Sequence, residues 1–209
     1  MNEILEQKKT IILDLGFNSE RFEFLKKYVN LLWAANSELN LFSRQTSELD
    51  LINNHIIDCL LPLKHWPLKA KNVADFGSGG GLPGLIYGLN FPEIHFHLFE
   101  KSPLKQNFLN ECTKKLNLQN IQVQSNIPNK LPDYDLITAR GFKPIDVILE
   151  ISSNYYLKNG KYFLLKGRIE KINEEISASL KRNKNLKWTS VPLQSPVLEV
   201  ERHLVLINN

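Results

Sequence analysis

The run Val73-Ala74-Asp75-Phe76 passes directly into Gly77-Ser78-Gly79-Gly80-Gly81-Leu82-Pro83-Gly84, and six of the ten glycines of the chain lie between Gly77 and Gly88. An apolar strand that enters a glycine-rich turn and leaves into a helix opens a βα unit. Glycine lets such a turn close sharply and lets the backbone approach a ligand with no Cβ in the way.

The rest of the chain beyond residue 70 repeats that unit. Strands are expected at Asn72–Phe76, Ile94–Phe99, Ile121–Gln124, Tyr134–Thr138, Lys161–Lys166, Lys187–Val191 and His203–Ile207. Helices are expected at Leu82–Leu89, Leu104–Leu116, Pro144–Ser153 and Ile169–Leu180. Strands alternating with helices imply a parallel α/β sheet covered on both faces. The last two strands are joined only by the proline-containing stretch Pro192–Val200, which suggests an antiparallel closing pair. The expected fold is therefore a Rossmann-like, seven-stranded mixed sheet of the class I methyltransferase layout.

Before residue 66 the apolar spacing is helical: Ile4, Leu5, Ile11, Ile12 and Leu15, then Phe22, Leu25, Val29, Leu32 and Trp33. Gly16 suits the end of one helix and Ser19 the start of the next. A further helix is expected from Glu48 to Leu61, stopped by Pro62. We read residues 1–66 as a helical extension and 67–209 as the α/β domain. The longest apolar run, Leu31–Ala35, has five residues, against ~20 for a membrane span. The start, MNEILEQKKT, lacks the apolar core of a secretory signal. Cys59 and Cys112 make neither a metal cage nor a disulfide framework. A reduced cytoplasmic protein, without membrane attachment and without a metal, is the expectation, and a monomer is the simplest state.

Two ligands compete for the glycine turn. Gly79-Gly80-Gly81-Leu82-Pro83-Gly84 is a literal G-x-G-x-x-G, the dinucleotide fingerprint. Read from Asp75, the same residues give acid-x-G-x-G-x-G, the form of S-adenosylmethionine-dependent methyltransferases. A dinucleotide brings a pyrophosphate, which needs free backbone N–H groups at a helix N-terminus. S-adenosylmethionine brings an ammonium and a sulfonium, for which Asp75 offers a carboxylate. Glu100, at the end of the second strand, can accept two ribose hydroxyls in either case.

The net charge of +4 says little, but residues 158–187 carry nine Lys/Arg against three Asp/Glu. That surplus suits a nucleic-acid backbone, or is a solvated lysine-rich face.

Together these segments resemble a known family. Asp75–Gly84 is similar to the G-x-G-x-G-L-P-G signature of the bacterial small-subunit ribosomal RNA methyltransferases called RsmG or GidB. In the same order, Leu39-Asn40-Leu41, His55-Ile56-Ile57-Asp58-Cys59, Thr138-Ala139-Arg140-Gly141, Leu165-Lys166-Gly167 and Glu201-Arg202-His203 resemble the other signatures. The resemblance spans residues 36–207. It implies methyl transfer from S-adenosylmethionine to nitrogen 7 of a guanine in 16S ribosomal RNA, in the small subunit or an assembly intermediate. By position it implies that Gly77, Gly79 and Leu82 line the donor's methionine and ribose. Glu100 would take the ribose hydroxyls, and Asn126, Ile127 and Pro128 would flank the adenine. Arg140 would stand between donor and target base. The chain departs from the family pattern at Asn54, where arginine is usual, at Pro128, where an acid is common, and around Arg140.

His55 and Asp58 are three apart on one helical face and can orient the N-terminal helices over the site, contact the RNA, or bind each other to hold two elements together. Lys166 ends the fifth strand at the ligand edge. Arg202 and His203 open the last strand, where Arg202 can reach RNA phosphate or pair with Glu199 or Glu201. A smaller acceptor, a protein acceptor or a dinucleotide-linked oxidoreductase are the alternatives to RNA methylation.

Overall fold

The computed structural model describes residues 1–208. Helix α1 (Asn2–Gln7) and α2 (Lys9–Asp14) divide at Lys8 what the sequence suggests is one helix, and a 3-10 turn at Ser19–Arg21 leads into α3 (Phe22–Leu39). Asn40 ends α3 in the left-handed region with φ 53°. Just before it, the Asn36 carboxamide oxygen accepts from the Leu41 and Phe42 N–H groups at 2.8 and 2.9 Å.

The helix expected over Glu48–Leu61 is not uniform. It begins as α4 (Glu48–Leu51) with a Ser47/Asp50 capping box, widens into a π-helical turn over Ile52–Ile57, and finishes as α5 (Asp58–Leu60). π turns of this kind are frequent at functional sites, and this one carries His55.

The sheet contains β1 (Asn72–Phe76), β2 (His95–Phe99), β3 (Ile121–Gln124), β4 (Leu136–Arg140), β5 (Lys161–Lys166), β6 (Lys187–Leu193) and β7 (Arg202–Asn208). Its spatial order is β3-β2-β1-β4-β5-β7-β6. The first five strands are parallel, and β7 runs antiparallel to both β5 and β6. The seven-stranded mixed sheet is the one expected.

Strand β4 lies two residues later than its apolar pattern suggests. The Asp135 carboxylate is tied to the Lys71 and Asn72 N–H groups, 2.8 Å each, which sets Leu136 opposite Val73. Arg140 thereby becomes the last residue of a strand rather than part of the following loop.

Helices α6 (Gly84–Asn90) and α7 (Pro103–Lys115) connect the first three strands. Helices α8 (Ile145–Ile151), α9 (Ser153–Tyr156) and α10 (Ile169–Leu180) follow β4 and β5. Alternate strand residues face opposite layers, as a pleat requires. Ala74, Phe76, Tyr162 and Leu164 pack with α8–α10, whereas Val73, Phe163 and Leu165 pack with α6, α7 and residues 1–66. Leu5, Ile12, Leu25 and Leu32 of the N-terminal helices thus share one continuous core with the sheet. No described helix is long and apolar enough to cross a membrane.

Candidate active site

Strands β1–β5 end along one edge, and the strand order reverses between β1 and β4. Open α/β sheets bind ligands at that kind of crevice. A cavity of about 830 Å³ opens there. Its wall takes Gly77–Gly80 and Leu82 after β1, Glu100 and Lys101 after β2, Ser125–Ile127 after β3, and Arg140–Lys143 at β4. Lys166 and Gly167 after β5 complete it, with Arg202 and His203 from the start of β7. Because β7 is antiparallel, its beginning reaches the same edge, with His203 opposite Lys166.

The glycine turn is shaped for close approach. Gly77 and Gly79 have φ of 71° and 56°, in the left-handed region. A Cβ on Gly77 would stand 2.3 Å from the Phe142 ring, which packs edge-on to Phe76 and lines the cavity. Helix α3 supports the turn from behind, since the Tyr28 hydroxyl donates to the Gly80 carbonyl at 2.7 Å.

Asp75 corrects the sequence reading. Alternation along β1 turns its side chain away from the cavity and toward α6, where it is fully buried. One carboxylate oxygen accepts from the Gly84 N–H at 3.2 Å, and a Cβ on Gly84 would lie 2.5 Å from that oxygen. The other oxygen has no partner, and burial pushes the carboxyl up to about 7. Asp75 therefore braces the first turn of α6 and is not part of the cavity wall. Its carboxylate occupies the Gly84 N–H at that helix terminus, which disfavours a pyrophosphate there.

Glu100 lies at the cavity wall, and backbone groups hold both of its carboxylate oxygens. Its two carboxylate oxygens accept from the Gly79 and Ser102 N–H groups at 2.9 and 2.8 Å. Asn126 and Ile127 line the cavity, but the chain leaves it there. Pro128 is exposed and outside the wall, the second correction to the expected set.

The opposite side of the cavity is built from charges. The Arg140 guanidinium donates to the Asp58 carboxylate at 2.8 Å, to the Asn54 carbonyl at 3.3 Å and to His55 Nδ1 at 3.0 Å. All three acceptors come from the π-helical turn and the residue after it. Burial, then the Arg140 charge, lowers the His55 pKa to about 4, so the imidazole is neutral and accepts at Nδ1. The second Asp58 oxygen accepts from Arg202 Nε at 2.5 Å. Arg202 thus pairs with neither Glu199 nor Glu201. His55 and Asp58 meet through Arg140 rather than through each other.

Lys166 donates to Glu175 at 2.7 Å and to the Lys143 carbonyl at 3.0 Å. Glu175 also accepts from the Ile145 N–H at 3.0 Å, which fastens the turn after β4. His203 Nδ1 donates to the Gly167 carbonyl at 2.8 Å.

Residues 21–205 match the family described as rRNA small subunit methyltransferase G, GidB. Over 207 residues the chain is 56% identical to ribosomal RNA small subunit methyltransferase G 1 of Bdellovibrio bacteriovorus, covering 99% of this chain and all of that one. The chain belongs to the rRNA small subunit methyltransferase G family. The Brachyspira hyodysenteriae member is 35% identical over 210 residues, 99% of this chain and 98% of that one. In fold the chain is similar to a SAM-dependent methyltransferase from Aquifex aeolicus, with a TM-score of 0.54 at 16% identity over 76% of this chain and 92% of that one. The class I methyltransferase fold is thereby established for this family member.

S-adenosylmethionine fits the donor wall on chemical grounds. The cradle at Gly77 would be filled by a Cβ, the Gly84 N–H at the start of α6 is taken, and a fixed carboxylate faces the cavity at Glu100. Sequence reasoning missed Lys101, Lys105, Phe142 and Lys143 on the wall. Each follows a strand end within a few residues, so strand-end position was the usable signal. With them, six Lys/Arg and two Asp/Glu line the cavity.

Proposed function

We propose that this cavity carries out S-adenosylmethionine-dependent methylation of nitrogen 7 of one guanine in 16S ribosomal RNA. The observation that carries the reading is the two-sided wall: a phosphate-free glycine cradle with Glu100 on one side, and paired guanidiniums on the other. Gly77, Gly79, Leu82, Glu100, Asn126 and Ile127 would hold the donor. S-adenosylmethionine supplies an electrophilic methyl group on a sulfonium.

Nitrogen 7 of guanine has a free lone pair, so the chain needs no general base. The residues do positional work, which contributes up to about 7–11 kcal/mol when two reactants are held at reactive distance. His55, neutral and hydrogen-bonded to Arg140, holds that guanidinium without adding charge. Lys166 and Glu175 keep the turn after β4, with Phe142, closed against the glycine loop. The basic wall then attracts the RNA strand. A-form RNA hides nitrogen 7 in its deep groove, so the target guanine is read in a single-stranded or splayed-out segment. The small subunit or an assembly intermediate is the substrate, the enzyme acts as a monomer, and it works in the cytoplasm.

Incubating the protein with labelled S-adenosylmethionine and small ribosomal subunits, followed by nucleoside analysis, tests this. The expected product is 7-methylguanosine in the 16S RNA. Absence of label in that RNA would overturn the substrate assignment.

A further inference from the structure

One carboxylate stands between two guanidiniums at the acceptor wall. Asp58 is 7% exposed, and its two oxygens are taken by Arg140 and Arg202. The three residues come from α5, β4 and β7, which are distant in sequence, and all three line the cavity. His55, the nearest titratable neighbour, is uncharged when it accepts from Arg140. The cluster therefore keeps one unbalanced positive charge.

Its donors are also incompletely used. Arg140 uses three N–H groups, on Asp58, Asn54 and His55, and Arg202 uses two, on Asp58 and the Glu201 carbonyl. A guanidinium has five N–H donors. Two remain on Arg140 and three on Arg202. A planar fork with free donors and a net charge of +1 matches a phosphate monoanion.

The chemistry of the reaction says which part of the RNA belongs there. Methylation leaves the guanine ring positively charged, so a guanidinium against that ring would oppose the transition state. A backbone phosphate keeps its charge throughout. We propose that Asp58 is a positioning residue that aligns Arg140 and Arg202 as a clamp for one phosphate next to the target guanine. This rests on the RNA reading given above. The clamp grips the same charge before and during methyl transfer, so it acts on binding of the RNA and not on the chemical step.

The test compares D58N, R202Q and the double variant with the unaltered enzyme in methyl transfer to small subunits that lack the methyl group. Each single variant is expected to raise KM for the subunit about tenfold and leave kcat within about threefold. In R202Q the slope of log KM against log salt should fall by about one, as for loss of one cationic phosphate contact. The double variant should be little worse than either single one, because Asp58 acts through the arginines. S-adenosylhomocysteine affinity should stay within about twofold of the unaltered enzyme.

A fall in kcat at constant KM would overturn the clamp, as would additive effects in the double variant. Weakened S-adenosylhomocysteine binding would overturn it too, since the fork would then be holding the donor's carboxylate. If D58N does not fold, R202Q and R202K decide the matter: R202Q should show the KM and salt effects and R202K should recover much of the charge-dependent part. Unaltered enzyme that binds S-adenosylhomocysteine and methylates no subunit would instead refute the RNA reading beneath the proposal.

Discussion

The two walls of the cavity are made in opposite ways. The donor wall is mostly backbone: the glycine turn, its Tyr28 support, and Glu100 tied to the Gly79 and Ser102 N–H groups. Its shape is set within about 25 residues of chain, by left-handed φ angles and by the burial of Asp75 under α6. The acceptor wall is side chains, brought from residues 54–58, 140, 166 and 202 and locked by ion pairs across the fold. The first wall suits a small ligand of constant shape. The second is a preorganised field for an anionic polymer, and it exists only when the N-terminal helices, β4 and β7 are assembled.

That contrast can be broken most severely at the glycine turn. A Cβ at Gly79 would meet only the Gly77 carbonyl, 3.9 Å away, so a side chain there extends into the cavity. Valine would also sit at a positive φ, at a cost of about 1–2 kcal/mol. G79V is expected to weaken S-adenosylhomocysteine binding at least about a hundredfold in titration calorimetry, which is roughly 2.7 kcal/mol.

On the other wall, R140A removes one of the two partners of buried Asp58 and two hydrogen bonds to the π-helical turn. Stability should fall by about 1–3 kcal/mol in urea unfolding. Methyl transfer at subsaturating subunit should fall about a hundredfold, mainly through a higher KM for the subunit and not through kcat. Activity that survives unchanged would remove Arg140 from the site.

The walls also differ in how they respond to acid. The His55 pKa is lowered from 6.5 to about 4 by burial and by Arg140, so between these values only the unfolded chain takes up the proton. That contribution to stability is present above pH 6.5 and is lost as pH falls toward 4. The Asp75 carboxyl is raised from 3.8 to about 7 by burial, so over that range only the folded chain holds the proton. Its contribution is present below pH 3.8 and is lost as pH rises toward 7. The two slopes oppose each other from about pH 4 to 6.5. In H55Q, relative to the unaltered protein, stability should fall with rising pH across that window. In D75N it should rise. Urea midpoints measured against pH distinguish these signs.

The smallest effect belongs to neither wall. Lys158 and Asp133 are 56% and 87% exposed and form a surface ion pair at 3.0 Å. D133N should shift the melting temperature by less than about 2 °C and leave methyl transfer unchanged.

The donor wall was legible in the sequence because it is local. The strand–glycine–helix order, the position of Glu100 and the alternating strands all follow from residues near one another, and each strand of the sheet lies within two residues of its expected place. Asp75 was misassigned within that same segment, because only the pleat of β1 decides which way its side chain points. Pro128 was misplaced because the loop after β3 leaves the wall one residue earlier than the family pattern suggests.

The acceptor wall was legible only as separate residues. Arg140, His55, Asp58, Lys166, Arg202 and His203 stood out as candidates, yet their pairing depends on the register of β4 and on the π-helical turn, which no local pattern announces. The departure at Asn54 illustrates this. Its contact with Arg140 is made by the backbone carbonyl, so the identity of the side chain is free to vary there. The basic stretch 158–187 was the conspicuous charge signal, but Lys166 alone brings it to the cavity, and Lys101, Lys105 and Lys143 come from elsewhere.

The division of labour between the walls is tested most directly by S-adenosylhomocysteine titration of G79V and R202Q side by side at equal ionic strength. The expected result is no measurable binding for G79V and native affinity for R202Q. Native affinity in G79V, or a loss in R202Q as large as that in G79V, would contradict it.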